Sequence, residues 1–282
     1  MYNKIVGIFT AALTLSLLVT SCSSPPEEKK EPTNVAAKIA PATAPLQNNH
    51  LLSVNDAVSL IKNYLDTINN SENAEALRKL PVGGSISAEA LKRLTEENPD
   101  ANGYMFYGFS DAEPATLFKD VNMLAACKFN FNPDSMASYE TSNETNVYLI
   151  NDTVKHPYQS LTSEAITNYL SQYTKVIPAA ASVHHFAAIK GNMNQYTAFF
   201  NENFGDGTVQ WPFALFSSDE FLTRLYAATG GENNFGGIRY YFGLDKAAKE
   251  NRLRIVIFAV NKSGSNVVAD NRILERHWPP SE

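Results

Sequence analysis

The stretch whose reading decides the fold is Trp211-Pro212-Phe213-Ala214-Leu215-Phe216-Ser217, followed without a gap by Ser218-Asp219-Glu220-Phe221-Leu222-Thr223-Arg224-Leu225-Tyr226. The first half is a short apolar run, which reads as a strand. In the second half Ser217 and Glu220 stand three residues apart ahead of apolar residues, the spacing of a capping box: the hydroxyl accepts from a backbone N–H while the carboxylate reaches back. A strand therefore passes straight into a helix. Working outward, Tyr104-Met105-Phe106-Tyr107-Gly108-Phe109-Ser110 is a similar run, followed by Asp111 to Leu117, where Pro114 suits a first helical turn. Cys127-Lys128-Phe129-Asn130-Phe131 matches Ile238-Arg239-Tyr240-Tyr241-Phe242, and Asn146-Val147-Tyr148-Leu149-Ile150-Asn151 matches the run from Arg254 to Asn261.

Upstream of each set lies a lead helix. Ala57, Ile61, Tyr64, Leu65 and Ile68 recur at three- and four-residue intervals, so Asp56 to Ile68 is expected to be helical, with Ser53 as N-cap. About a hundred residues later, from Leu161, the stripe Ile166, Tyr169, Leu170, Tyr173 and Ile177 repeats the pattern and stops at Pro178. Five blocks in one order, at offsets of 106 to 111, point to tandem duplication. The expected fold is α+β: two modules, 51–152 and 153–282, each with a lead helix, a strand–helix unit and a closing antiparallel hairpin. The second carries a C-terminal tail containing Trp278-Pro279-Pro280. Between lead helix and core strand, Ser87 to Thr95 reads as helix, Val183 to Ile189 as strand, and Gln195 to Glu202 as a further segment.

The first 50 residues read differently. Lys4 supplies a positive charge, and Ile5 to Val19 is apolar and uncharged, the layout of a secretory signal too short to span a bilayer. Leu18-Val19-Thr20-Ser21-Cys22 resembles the lipobox of bacterial lipoproteins. That resemblance implies a signal of residues 1–21, cut before Cys22, whose thiol then carries lipid such as palmitate. From Ser23 to about Asn49 the chain is rich in Pro, Ala and polar residues without apolar periodicity, so 22–50 reads as a lipidated Cys and a disordered tether. Glu27-Glu28 resembles the acidic surface-export signals of Bacteroidota lipoproteins. The second module, with Glu164-Ala165-Ile166, Ser218-Asp219-Glu220, Ile238-Arg239-Tyr240-Tyr241-Phe242-Gly243 and the strand from Leu253 to Asn261, resembles uncharacterised small proteins and lipoproteins of Bacteroidota. This implies an α+β module and an envelope address, and adds no catalytic residue.

Composition bounds the rest. The 282 residues carry 23 Lys+Arg against 29 Asp+Glu, a net charge of −6, and cleavage that removes Lys4 makes it −7. An acidic chain of ordinary hydrophobicity argues against nucleic-acid binding. With Cys22 lipidated, Cys127 is the remaining thiol and has no partner for an intrachain disulfide. It reads as a small buried hydrophobe.

No Gly-x-Ser-x-Gly, P-loop, dinucleotide fingerprint or His-Glu-x-x-His occurs; Gly83-Gly84-Ser85-Ile86-Ser87 lacks the closing glycine of a nucleophile elbow. His184-His185 sits in an expected strand, where neighbouring side chains point to opposite faces and cannot share one metal. Asn201-Glu202-Asn203-Phe204-Gly205-Asp206-Gly207 offers two carboxylates and no closing Glu, and reads as a turn. No metal or cofactor is expected.

Among the aromatics, Trp211, Tyr240 and Trp278 are the candidate ligand contacts, for a glycan or a peptide, because such rings combine area with a hydrogen-bonding tip. The expectation is a non-catalytic binding or scaffold protein anchored in the bacterial envelope by lipid on Cys22, with an envelope protein, glycan or peptide as ligand. The alternative is an envelope hydrolase with dispersed residues, Cys127 and the His184/His185 pair being its candidates. A third reading is a purely structural role.

Overall fold

The computed structural model describes residues 51–97, 99–101, 103–107, 125–129, 145–149, 152–155, 157, 161–179, 182–188, 191, 214–246 and 252–276. Its elements are β1 (Leu51–Leu52), α1 (Val54–Asn70), α2 (Ala74–Leu77), β2 (Pro81–Ser87), α3 (Ala88–Glu97), β3 (Gly103–Tyr107), β4 (Ala125–Phe129), β5 (Asn146–Leu149) and β6 (Asp152–Lys155). These are followed by α4 (Ser163–Gln172), β7 (Ser182–His185), β8 (Ala214–Ser217), α5 (Ser218–Thr229), β9 (Phe235–Asp245), β10 (Arg252–Asn261) and β11 (Ile273–Arg276). The fold is α+β with antiparallel sheets. A six-stranded sheet runs β1-β11-β10-β9-β2-β6, and a five-stranded sheet runs β7-β5-β4-β3-β8.

Local signals place most of these elements. The Ser53 hydroxyl accepts from Asp56 N at 3.1 Å and caps α1, whose buried stripe is Ala57, Val58, Ile61, Tyr64, Leu65 and Ile68. Thr162 caps α4 by accepting from Ala165 N at 3.1 Å. Ser87 closes β2 and accepts from Ala90 N at 3.1 Å, so β2 runs directly into α3. The same direct passage joins β8 to α5 at Ser217/Ser218, as its sequence implies. After α5, Gly230 and Gly231 take positive φ of 82° and 126° and turn the chain toward β9.

Three expectations are corrected. The α4 stripe does not extend to Pro178: the helix ends at Gln172, and Tyr173 is an extended C-cap. The reason is tertiary, because Thr174 bridges Ser265 and Lys175 N donates to Gly264 O at 3.0 Å, drawing the chain away from the helical path. The strand at Val183 ends at His185, and Phe186 to Ala188 are helical. Finally, the Tyr104 and Ala214 runs, matched above as repeat equivalents, are direct partners: Gly103 faces Ser217, Tyr104 faces Phe216, and Phe106 faces Ala214. Both sheets draw strands from either side of residue 152, with β2 beside β9 and β8 beside β3. The segments expected at Asp111–Leu117 and Gln195–Glu202, and the Gly205-Asp206-Gly207 turn, lie outside the described residues.

The core joins both sheets. α3 touches β2 and β9 of the six-stranded sheet and β4 of the other. α5 touches β9 and β10, while its Phe221 ring lies 5.1 Å from Tyr104 and 6.0 Å from Phe106 on β3. α1 packs against β9, with Tyr64 5.5 Å from Phe242. Each such buried ring contributes roughly 1.5–3 kcal/mol by leaving water.

Candidate functional site

β9 lies between β10 and β2 and is packed against α1 and α3, and Tyr240 is 1% exposed. Tyr240, expected as a ligand contact, has its ring buried in the core. Burial, followed by the charge of Asp152 and by Tyr64, pushes its phenol well above the ordinary range. Its hydroxyl and Asp152 Oδ2 are buried without a hydrogen-bond partner. The ring lies over β2, where a Cβ on Gly84 would stand 2.5 Å from the Tyr240 hydroxyl and 2.8 Å from Asp152 O. Gly84 is thus a close-approach glycine, a use of the Gly83-Gly84-Ser85-Ile86-Ser87 run unrelated to catalysis.

Next to Tyr240 stands the most unusual group of the molecule, Arg239, which is wholly buried. Its Nε donates to Ser85 Oγ at 3.2 Å, Nη1 to Gly264 O at 3.2 Å and Asn266 Oδ1 at 2.7 Å, and Nη2 to Lys175 O at 2.7 Å. The guanidinium also lies 4.6 Å from the centre of the Tyr173 ring. All four partners are neutral oxygens, and among the described residues no carboxylate pairs with it.

Asn266 continues the cluster by donating from Nδ2 to Leu170 O at 2.8 Å and to the Tyr241 hydroxyl at 3.2 Å. Lys175 Nζ reaches across to the buried carboxylate of Asp152, facing Ser85 in the register of β2 and β6. Gly264 permits the crowding: at φ 88° it lies where a Cβ would run into the backbone of Lys175.

This arrangement joins four pieces that are distant in sequence: β2, the segment after α4, β9 and the turn after β10. Four of the five guanidinium N–H groups are accounted for by main-chain and neutral side-chain acceptors, so Arg239 acts as a fastener. A second charged group also holds strands together. Arg254 on β10 pairs with Asp245 on β9 at 2.6 Å and with Glu275 on β11 at 2.9 Å.

The other candidates are dispersed. His184 and His185 are exposed on β7, at the edge of the five-stranded sheet, and Val183 beside them is 44% exposed. Cys127 lies on β4 opposite Met105, and β5 intervenes between β4 and β7. Two strand spacings, about 9.6 Å, separate those backbones. Cys22, Trp211 and Trp278 lie outside the described residues.

Among the described residues no group of three His, Cys, Asp or Glu side chains is placed to hold a metal ion, and no helix is long and apolar enough to cross a membrane. The sequence signal for the fastener was a lone Arg within the apolar run of β9. Nothing local indicated its four acceptors. Comparison with protein-family models, with curated proteins and with solved structures finds no match to this chain.

Proposed function

We propose that this chain is a bacterial envelope lipoprotein held at the outer membrane by lipid on Cys22, whose two-sheet body binds an envelope protein, glycan or peptide and catalyses no reaction. The observation that carries the reading is the order of its N-terminal segments. A charge-free apolar run is followed by Leu18-Val19-Thr20-Ser21-Cys22, then by a Pro-rich polar spacer, and then by the body. Acyl chains contribute about 0.8 kcal/mol for each buried methylene, so two or three of them hold a protein stably at a membrane.

Two features of the body support the reading. The body begins directly after the spacer, with β1 at Leu51 pairing with β11 and Val54 N donating to Asp270 Oδ1 at 2.7 Å. The buried Arg239 and the half-buried Arg254 are engaged in holding strands and turns, consistent with a binding body.

The test is fractionation of cells expressing the wild type or Cys22→Ala, with a pull-down from the native envelope. The wild type should sediment with membranes and the variant should be released. A variant that stays in the membrane fraction would overturn the anchoring, and hydrolysis of envelope polymers by the purified body would overturn the non-catalytic reading.

A further inference from the structure

The two sheets share one plan. In the six-stranded sheet β9, β10 and β11 form an antiparallel meander, and β2 from the first half lies beside β9; in the five-stranded sheet β3, β4 and β5 form the meander, and β8 from the second half lies beside β3. The joints coincide residue by residue. Ser87, the last residue of β2, faces Gly237, and Ser217, the last residue of β8, faces Gly103. The next pairs are Ile86 with Ile238 and Phe216 with Tyr104, then Ser85 with Arg239 and Leu215 with Met105, then Gly84 with Tyr240 and Ala214 with Phe106.

Each joining strand then passes directly into a helix, α3 or α5, whose first large buried side chain, Leu91 or Phe221, stands four residues beyond that serine. Both ladders are unbroken over these pairs, so the shared register is one observation: the terminal serine, the glycine facing it and the start of the helix fall at the same point of both joints.

We infer that the body is two copies of one β–α–β–β–β unit that have exchanged their first strands, and that the exchange surface accepts the matching strand of a second copy of this chain. The units are β2-α3-β3-β4-β5 and β8-α5-β9-β10-β11, so the equivalent of Tyr104 is Ile238. Each unit is completed by a strand of the other, and nothing in the two joints requires that strand to come from the same chain. The first unit of one copy and the second of another make the same pairings, which is strand exchange in trans. Covalent linkage through residues 150–213 makes the exchange within one chain intramolecular and raises the effective concentration of each strand at its joint. Single chains therefore dominate in dilute solution and two-chain assemblies grow with concentration. The inference does not depend on membrane anchoring.

The test uses the whole chain with Cys22→Ala. Ile86→Pro in β2 and Phe216→Pro at the register-equivalent position of β8 each take a backbone N–H out of one joint and break it. Refolded alone, neither variant should show the wild-type cooperative melt. Refolded as a mixture, they should regain up to half of the wild-type transition at the mass of two chains by light scattering, because the first unit of the Phe216→Pro chain and the second unit of the Ile86→Pro chain retain intact strands. The unsubstituted chain, refolded at increasing concentration, should show a rising two-chain fraction that melts at the single-chain temperature. A mixture that behaves as the sum of its separate components, together with an unsubstituted chain that is single at every refolding concentration, would overturn the inference.

Discussion

Replacing Arg239 with Met tests whether the buried guanidinium fastens the fold or burdens it. Methionine keeps an unbranched stem, and Met105, its register equivalent in the five-stranded sheet, is itself fully buried, so a Met fits such a position. The substitution removes four hydrogen bonds. Gly264 O keeps the Lys175 N–H, and Lys175 is exposed, so its carbonyl can turn to water. Ser85 Oγ and Asn266 Oδ1 belong to buried residues and lose their donor, at roughly 1–3 kcal/mol each.

Set against this is recovery of the guanidinium desolvation penalty, several kcal/mol for a buried ion, though four hydrogen bonds and the Tyr173 ring compensate much of it in the native state. The expected net loss is about 3 kcal/mol, a fall in Tm of roughly 6–12 °C for a body of this size. Arg239→Lys should fall by a similar amount, because a point ammonium cannot reach acceptors spread around a planar fork. The assay is thermal and urea unfolding, with hydrogen exchange at Lys175 N–H, which should stay protected against local opening because its bond to Gly264 O is retained. A Tm within 2 °C of wild type, or above it, would refute the reasoning and show that desolvation outweighs the hydrogen bonds.

Three further outcomes are expected. Gly84→Ala should destabilise by about 1–3 kcal/mol, and combining it with Tyr240→Phe should recover part of the loss, because one of the two nearest clashes is the phenol oxygen. Tyr240→Phe alone should be neutral or slightly stabilising, as it deletes an unpartnered buried hydroxyl; a loss above 1 kcal/mol would show that the hydroxyl has a partner. At alkaline pH, Tyr64, Tyr240 and Tyr241 are raised above the ordinary tyrosine value of 10.0, by burial first in each case. They stay protonated in the folded state while the unfolded chain releases their protons. Their contribution is fully present below pH 10 and is lost as pH rises beyond it, so Tm should fall above pH 10; a flat profile from pH 10 to 11.5 would contradict their burial.

The legible and illegible parts of the fold separate by the range of the interaction. Ser53 with Asp56 and Thr162 with Ala165 act within three residues, and the two helix starts are readable to within two residues. Strand identity was also readable: the runs at Tyr104, Ile238 and Arg254 are β3, β9 and β10. Strand partnership was not. The likeness between the Tyr104 and Ala214 runs reflects two apolar strands side by side in one sheet, which similarity alone cannot distinguish from two equivalent strands in separate modules. The end of α4 was hidden for a related reason, because Lys175 is held by Gly264 and Arg239, 89 and 64 residues away.

Arg239 and Tyr240 show where sequence reasoning about the site ran out. An alternating strand with Arg and Tyr suggests one polar or open face, and in isolation such residues do favour water. In the folded chain Gly83 and Gly84 let β2 lie close against β9, and the turn after β10 caps the guanidinium, so both residues are enclosed.

By itself the sequence determined what depends on neighbours along the chain: the helix caps and stripes, the positions of the long strands, the α+β class, and the order of apolar run, Cys22 and spacer. Only the tertiary structure decided which strands pair, that β2 and β8 cross between sheets, that α4 ends early, and that Arg239 is a buried fastener. The physical reason is that capping and amphipathic periodicity are set within one helical turn, whereas strand pairing and the enclosure of a charge depend on groups brought together only when the chain folds.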